Sequence, residues 1–229
     1  YLFLRGICDR NPVPRSLGAR HARPDGRGHG GRRGAPLVRA PRKLPRVLAP
    51  AEVSALTGAL RTERDRAMVA LMVHGGLRRC EVLGLRFEHV QVGDRRVFVA
   101  DGKGGHQRLV PVADVFFTTL ASYLSGERPA EAVDDHVFVV LKGPNRGRPL
   151  TAAGLDEVMA GARGRAGLTH ASCHELRHTC FTRLREAGMA LEAIQAQAGH
   201  ASIETTRVYL HLSNDWLAGE YQRAMAILD

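Results

Sequence analysis

The chain has 229 residues, of which 44% are hydrophobic and 24% charged. It can bury the core of one or two domains, which excludes a disordered tail or a small disulfide-bonded scaffold. Its apolar runs are much shorter than the roughly 20 residues of a membrane helix, so no membrane partner is expected. The net charge of +10 arises within residues 1–50, which contain 12 basic and two acidic residues, whereas residues 51–229 are formally neutral. This excess predicts an anionic partner, with nucleic acid favoured over membrane.

The first 45 residues differ in composition from the rest. Residues 1–12 are typical of the end of an amphipathic helix that stops at Asn11-Pro12. Residues 13–45 are rich in arginine, glycine and proline and are predicted to form a linker. The four cysteines show no CxxC spacing, and no signal peptide is recognisable, so a cytoplasmic location is expected.

From residue 46 onward the pattern predicts one α+β domain that is mostly helical. In the second predicted helix, Met68, Leu71 and Met72 recur at helical spacing. Alternating residues predict two strands, 96–101 and 107–112, that form a β-hairpin around a glycine-rich turn, and a further short strand is predicted at 136–141. The predicted helices span residues 51–60, 63–74, 78–85, 114–125, 151–165, 173–187, 190–198, 202–211 and 214–228.

Two interpretations fit the segment His174-Glu175-Leu176-Arg177-His178. Its letters match H-E-x-x-H, in which two histidines bind zinc and the glutamate activates water. Alternatively, His174 and Arg177 lie on one helix face and converge on a phosphate, which the planar guanidinium fork of arginine suits. The second interpretation requires further donors. The segment Gly76 to Leu85 supplies Arg78 with Glu81 three residues later, and His200 follows a glycine with Tyr209 nine residues beyond it.

With these motifs in this order, the chain resembles the tyrosine site-specific recombinase (phage integrase) family. The matches are Gly-Leu-Arg-x-x-Glu, a Gly-Lys-Gly hairpin, His-x-x-Arg-His and Gly-His followed by tyrosine, which map to Arg78, Glu81, Lys103, His174, Arg177, His178, His200 and Tyr209. The resemblance implies an integrase-type catalytic domain at 46–229, with a small β-hairpin sheet packed on a helical core. Residues 1–12 would then be a remnant of the last helix of an amino-terminal core-binding domain.

The resemblance also implies the chemistry. Arg78, Arg177, His174 and His200 would surround the phosphate without metal or cofactor. Tyr209 would attack phosphorus to give a 3′-phosphotyrosine, and Lys103 would protonate the leaving 5′-oxygen, so that rejoining needs no ATP.

Other residues are expected to have supporting roles. Glu81 and His178 would support the phosphate-binding groups without touching DNA, and His178 has the alternative of a simple core histidine. Arg79 and Arg207 are candidate DNA-phosphate contacts or solvated side chains.

The implied partners are double-stranded DNA, three further copies in a tetramer on two DNA sites, and accessory DNA-bending proteins. A bacterial, phage or mobile-element origin would follow. The alternatives are a non-catalytic DNA-binding remnant of a mobile element, a type IB topoisomerase-like enzyme and an HExxH zinc peptidase.

Overall fold

The computed structural model describes residues 46–100, 107–132 and 134–199. These ranges hold seven α-helices and three short strands. The helices are α1 (Pro50–Gly58), α2 (Glu63–Val73), α3 (Arg79–Leu83), α4 (Asp114–Gly126), α5 (Ala152–Arg165), α6 (Cys173–Glu186) and α7 (Leu191–Ala198). The strands are β1 (Val90–Gln91), β2 (Arg96–Val99) and β3 (Arg108–Pro111). The prediction of a mostly helical α+β domain with a small sheet is confirmed.

Helix α2 forms the centre of the core. Nine of its eleven residues are buried, and it packs against α4 and α6. Its amino end is capped by the Thr62 hydroxyl, which accepts a hydrogen bond from the Asp65 amide. The Glu127 carboxylate, at the end of α4, accepts the amides of Glu63 and Arg64. A helix buried on every side therefore has its free amides satisfied by neighbouring side chains.

The three strands form an antiparallel sheet in the order β1-β2-β3. The register pairs Val97 with Val110 and Val99 with Arg108, which confirms the predicted pairing of the two hairpin strands. Because side chains alternate along a strand, these four residues share the sheet face that packs on the helices. Strand β1 was not predicted, because two residues are too few to show a period.

The predicted strand at 136–141 is wrong. This segment makes isolated bridges, from His136 to Arg86 and from Val139 to Pro149, and does not join the sheet. The Val137 amide donates to the Leu85 carbonyl at 2.8 Å, and the Leu150 amide donates to the Phe138 carbonyl at 3.0 Å. Val137, Phe138 and Val139 are buried, but within the described ranges the segment has no continuous strand partner.

Several sequence predictions lie outside the described residues. They are the helix remnant at 1–12, the linker at 13–45, the hairpin turn at 102–105 and the helices at 202–211 and 214–228. None of the described helices is long and apolar enough to cross a membrane.

Candidate active site

The turn after α2 positions the first candidate arginine. Gly76 has a φ of +68°, and a Cβ at this position would lie 2.4 Å from the Phe181 ring on α6. Glycine is therefore required both for backbone conformation and for close packing. The next residue, Leu77, is fully buried. This anchor places Arg78 at the start of α3.

Glu81 is the buried acceptor at the base of this turn. Its Oε2 accepts the Arg78 backbone amide at 2.8 Å and so caps the first turn of α3. Its Oε1 accepts Nη1 of the same arginine at 2.7 Å. The spacing of three residues in Gly-Leu-Arg-x-x-Glu thus serves both to begin a helix and to hold the guanidinium.

Arg108, on β3, makes the most extensive contact with Glu81. Its Nη1 donates to Oε1 at 3.0 Å and its Nη2 to Oε2 at 2.9 Å, which is a bidentate pair. Its Nε donates to the Gln197 carbonyl at 2.8 Å, near the end of α7. Sequence reasoning assigned no role to this arginine. The signal was nevertheless present, because strand alternation places Arg108 on the same inward face as Val110.

Arg177, on α6, completes the group. It donates to the Gly76 carbonyl and, through Nη2, to the Ala198 carbonyl at 2.8 Å. Its guanidinium carbon lies 4.8 Å from the centre of the Phe181 ring. Its Nη1 is 4.0 Å from Glu81 Oε2. We refer to Arg78, Glu81, Arg108 and Arg177 together as the Glu81 cluster.

The Glu81 cluster brings three guanidiniums around one carboxylate, a formal excess of two positive charges. Burial raises the pKa of Glu81, but hydrogen bonds and charge from Arg108 and Arg78 outweigh it and lower the pKa to about 2. The carboxylate is therefore ionised at neutral pH. Among these side chains Arg78 is the most exposed at 19%, against 8% for Arg108, 6% for Arg177 and 0% for Glu81. The cluster therefore opens to solvent on the Arg78 side.

The carboxyl end of α7 is attached to this cluster. Gly199 ends the helix with a φ of +61°, and its carbonyl accepts Arg78 Nη2 at 3.4 Å. The Gln197 side-chain amide donates to the Gly75 carbonyl at 3.2 Å. His200, the next residue in the sequence, is thus preceded by a backbone that contacts the cluster.

The structure brings together Arg78, Glu81 and Arg177 of the predicted site residues. On α6, His174 is exposed and His178 is buried. Arg79 is exposed, and its Nη1 lies 2.8 and 2.6 Å from the two carboxylate oxygens of Asp156. The remaining predicted residues lie outside the described residues: they are Lys103, His200, Arg207 and Tyr209.

The glutamate of the H-E-x-x-H letters has a local structural role. Glu175 Oε2 accepts the Ser172 amide at 2.7 Å, and the Ser172 hydroxyl accepts the Glu175 amide at 3.2 Å. This is a capping box at the start of α6. Within the described ranges, the group whose side chains converge as a metal would require is Asp134, Asp135 and His136. That group contains neither histidine of the motif.

The sequence is similar to that of curated recombinases and of a transposase. The chain is 34% identical to tyrosine recombinase XerD of Neisseria meningitidis serogroup A over 78% of this chain and 62% of that protein. It is 31% identical to transposase A of transposon Tn554 from Staphylococcus aureus over 81% of this chain and 54% of that protein. The chain thus spans less than two thirds of the length of these curated relatives.

Solved structures show the same fold. The crystal structure of XerA recombinase matches with a TM-score of 0.70 and 28% identity, over 80% of this chain and 66% of that one. XerH recombinase bound to a palindromic difH substrate matches with a TM-score of 0.65 and 25% identity, over 78% of this chain and 53% of that one. The model of the phage integrase family matches residues 46–215. The chain therefore belongs to the phage integrase family.

Proposed function

We propose that this protein is a site-specific DNA recombinase that cleaves and rejoins DNA through a 3′-phosphotyrosine at Tyr209. The observation that carries the proposal is the Glu81 cluster, in which three guanidiniums surround one carboxylate. Residues 51–229 are formally neutral as a whole, yet this cluster concentrates positive charge in a largely buried site. Such a site suits the extra negative charge that a phosphodiester gains during displacement.

Each proposed role follows from the chemistry of the side chain. Arg78, Arg177, His174 and His200 donate to the non-bridging oxygens. The Tyr209 oxygen forms a bond to phosphorus and releases its phenolic proton to solvent, the bond from phosphorus to the 5′-oxygen breaks, and Lys103 gives that oxygen a proton. Attack by a 5′-hydroxyl from the partner duplex then reverses the step on the new strand and releases Tyr209. The ester energy is conserved in the tyrosine bond, so neither metal nor ATP is needed.

Supporting roles complete the proposal. Glu81 holds Arg78 through a buried charge-assisted bond and touches no DNA. His178, which is buried on α6, supports the phosphate-binding groups of that helix. Arg79 and Arg207 contact DNA phosphates outside the reacting centre. We assign residues 46–229 to the catalytic domain and the two preceding segments to a core-binding remnant and a linker.

A covalent trap tests the function. The protein is incubated in excess EDTA with a pool of nicked duplexes from which the short cleaved fragment diffuses away. Denaturing gels then reveal protein attached to DNA, and sequencing of the adducts identifies the site. We expect an adduct with the parent chain and none with Tyr209→Phe. Tyr221→Phe is the matched control, because it removes the same hydroxyl from a nearby tyrosine and should leave the adduct intact.

Other outcomes would select a different function. DNA binding with no adduct would indicate the non-catalytic remnant. An adduct without sequence preference, together with relaxation of supercoiled plasmid, would indicate a topoisomerase. An adduct that survives Tyr209→Phe would show that the nucleophile is wrong.

Arg177→Lys should slow adduct formation by about 100-fold, because it removes a planar pair of donors from the phosphate.

The assembly and location are further parts of the proposal. The active form is a tetramer on two DNA sites, with accessory DNA-bending proteins. A DNA substrate implies a cytoplasmic location. Light scattering of the protein mixed with adduct-derived duplexes should give four chains and two duplexes per complex.

A further inference from the structure

Arg108 is the cluster member to which the family motifs assign no role. It is buried on β3 and uses all three nitrogens of its guanidinium in hydrogen bonds. Two reach both oxygens of Glu81 on α3, at 3.0 and 2.9 Å. The third reaches the Gln197 carbonyl on α7, at 2.8 Å. One rigid planar group therefore connects three elements that are far apart in sequence.

The position of Arg108 in the sequence suggests what this connection does. Lys103, the proposed acid, precedes it by five residues in the sequence, in the predicted hairpin turn. Arg78 is held by the same carboxylate that Arg108 contacts. The distance between the acid and the phosphate-binding arginines therefore depends on where β3 is fastened to Glu81. The rate of proton transfer falls steeply when the acid is misplaced by about an ångström. The contact between Arg108 and Glu81 should therefore affect the rate of the reaction.

We propose that Arg108 is a positioning residue that sets the hairpin carrying Lys103 at the correct distance from the phosphate held by Arg78 and Arg177. The proposal rests on the recombinase function above. Arg108 touches neither DNA nor the reacting atoms, and it acts through the placement of the acid. Its loss should therefore impair protonation of the leaving oxygen more than binding of the phosphate.

A change of leaving group tests this role. In one suicide substrate the 5′-bridging oxygen is retained, and in the other it is replaced by sulfur. The bond from phosphorus to sulfur breaks to give a thiolate, which needs no proton, so that cleavage no longer depends on an acid. Lys103→Ala serves as the reference for loss of the acid. Arg177→Lys serves as the reference for impaired phosphate binding.

For Arg108→Gln we expect cleavage of the oxygen substrate to slow by about 100-fold, within the range of general acid catalysis. Cleavage of the sulfur substrate should slow by less than about fivefold, as with Lys103→Ala. Arg177→Lys should slow both substrates alike. The matched control is Arg64→Gln, since Arg64 is also a buried arginine that bonds a carboxylate, on Asp65, and a carbonyl, on Val139. It should lower the melting temperature without distinguishing the two substrates.

The conservative variant separates charge from geometry. Arg108→Lys keeps a cation beside Glu81 but has no fork, so it should recover more of the stability than of the oxygen-substrate rate. Full recovery of both would show that the fork is not required and would overturn the proposal.

Equal slowing of both substrates by Arg108→Gln, or a sulfur rescue in Arg64→Gln, would also overturn it. If the parent chain cleaves normally and Arg108→Gln cleaves at the same rate, the role of Arg108 alone is refuted. Absence of any adduct from the parent with either substrate refutes the recombinase function itself, and the Arg108 role with it.

Discussion

Neutralising Glu81 should remove a large part of the stability of the domain. The carboxylate is fully buried and accepts hydrogen bonds from Arg78 and Arg108, which lower its pKa from 4.5 to about 2. At about 1.4 kcal/mol for each pKa unit, ionisation of this group favours the folded state by about 3 kcal/mol. Glu81→Gln loses this contribution and leaves three guanidiniums without a counter-charge. The expected loss of about 3 kcal/mol is close to the 3–5 kcal/mol typical of breaking a buried ion pair.

The same argument predicts how the loss depends on pH. A folded pKa below the unfolded one gives stability that is present above the unfolded pKa and lost as pH falls through the folded pKa. The difference in unfolding free energy between parent and Glu81→Gln should therefore be about 3 kcal/mol near neutral pH. It should shrink as pH falls from about 4.5 toward 2, where about half of the folded parent molecules carry a neutral Glu81. Urea unfolding of both proteins across this range measures it.

The comparison between two variants isolates Glu81 from the other carboxylates that titrate in acid. Glu157→Gln, on the exposed side of α5, is the matched control and should differ little from the parent at any pH. A gap between parent and Glu81→Gln that stays constant from neutral pH to acid would refute the reasoning. It would show that the side chain matters through its shape and hydrogen bonds and not through its charge.

Two further predictions concern other features of the site. Gly76→Ala should lower the unfolding free energy by more than about 2 kcal/mol, since it combines a positive φ with a clash against the Phe181 ring. Gly167→Ala, with a φ of +66° and no described atom within 4 Å of its Cβ, should cost about 1 kcal/mol, and equal thermal unfolding of the two would contradict the packing argument. Asp156→Asn frees the Arg79 guanidinium, so affinity for a random duplex should rise by less than about fivefold. The salt dependence should steepen by about one ion, measured by fluorescence anisotropy; an unchanged slope would remove Arg79 from the DNA interface.

Local signals in the sequence were sufficient for most of the fold. Helix α6 was predicted at 173–187 and runs Cys173–Glu186, and the structure shows that the Ser172 capping box fixes its start. The hairpin strands were predicted from alternation. The error at 136–141 has a physical cause. A run of buried apolar residues shows no period, and whether it forms a strand depends on a continuous partner from elsewhere in the chain, which this segment lacks among the described residues.

In the site, too, the contacts between residues close in sequence could be predicted, and those between distant residues could not. Arg78 and Glu81 are three residues apart, so their pairing can be read from one turn of helix. Arg108 lies 27 residues beyond Glu81, and no local spacing connects them. A general rule nevertheless applies, because an arginine on the inward face of a strand must find a buried acceptor or be expelled. In a fold whose other motifs already require one buried carboxylate, Glu81 is the acceptor that Arg108 can reach. The placement of the acid and the charge of the phosphate site then depend on the same bidentate pair.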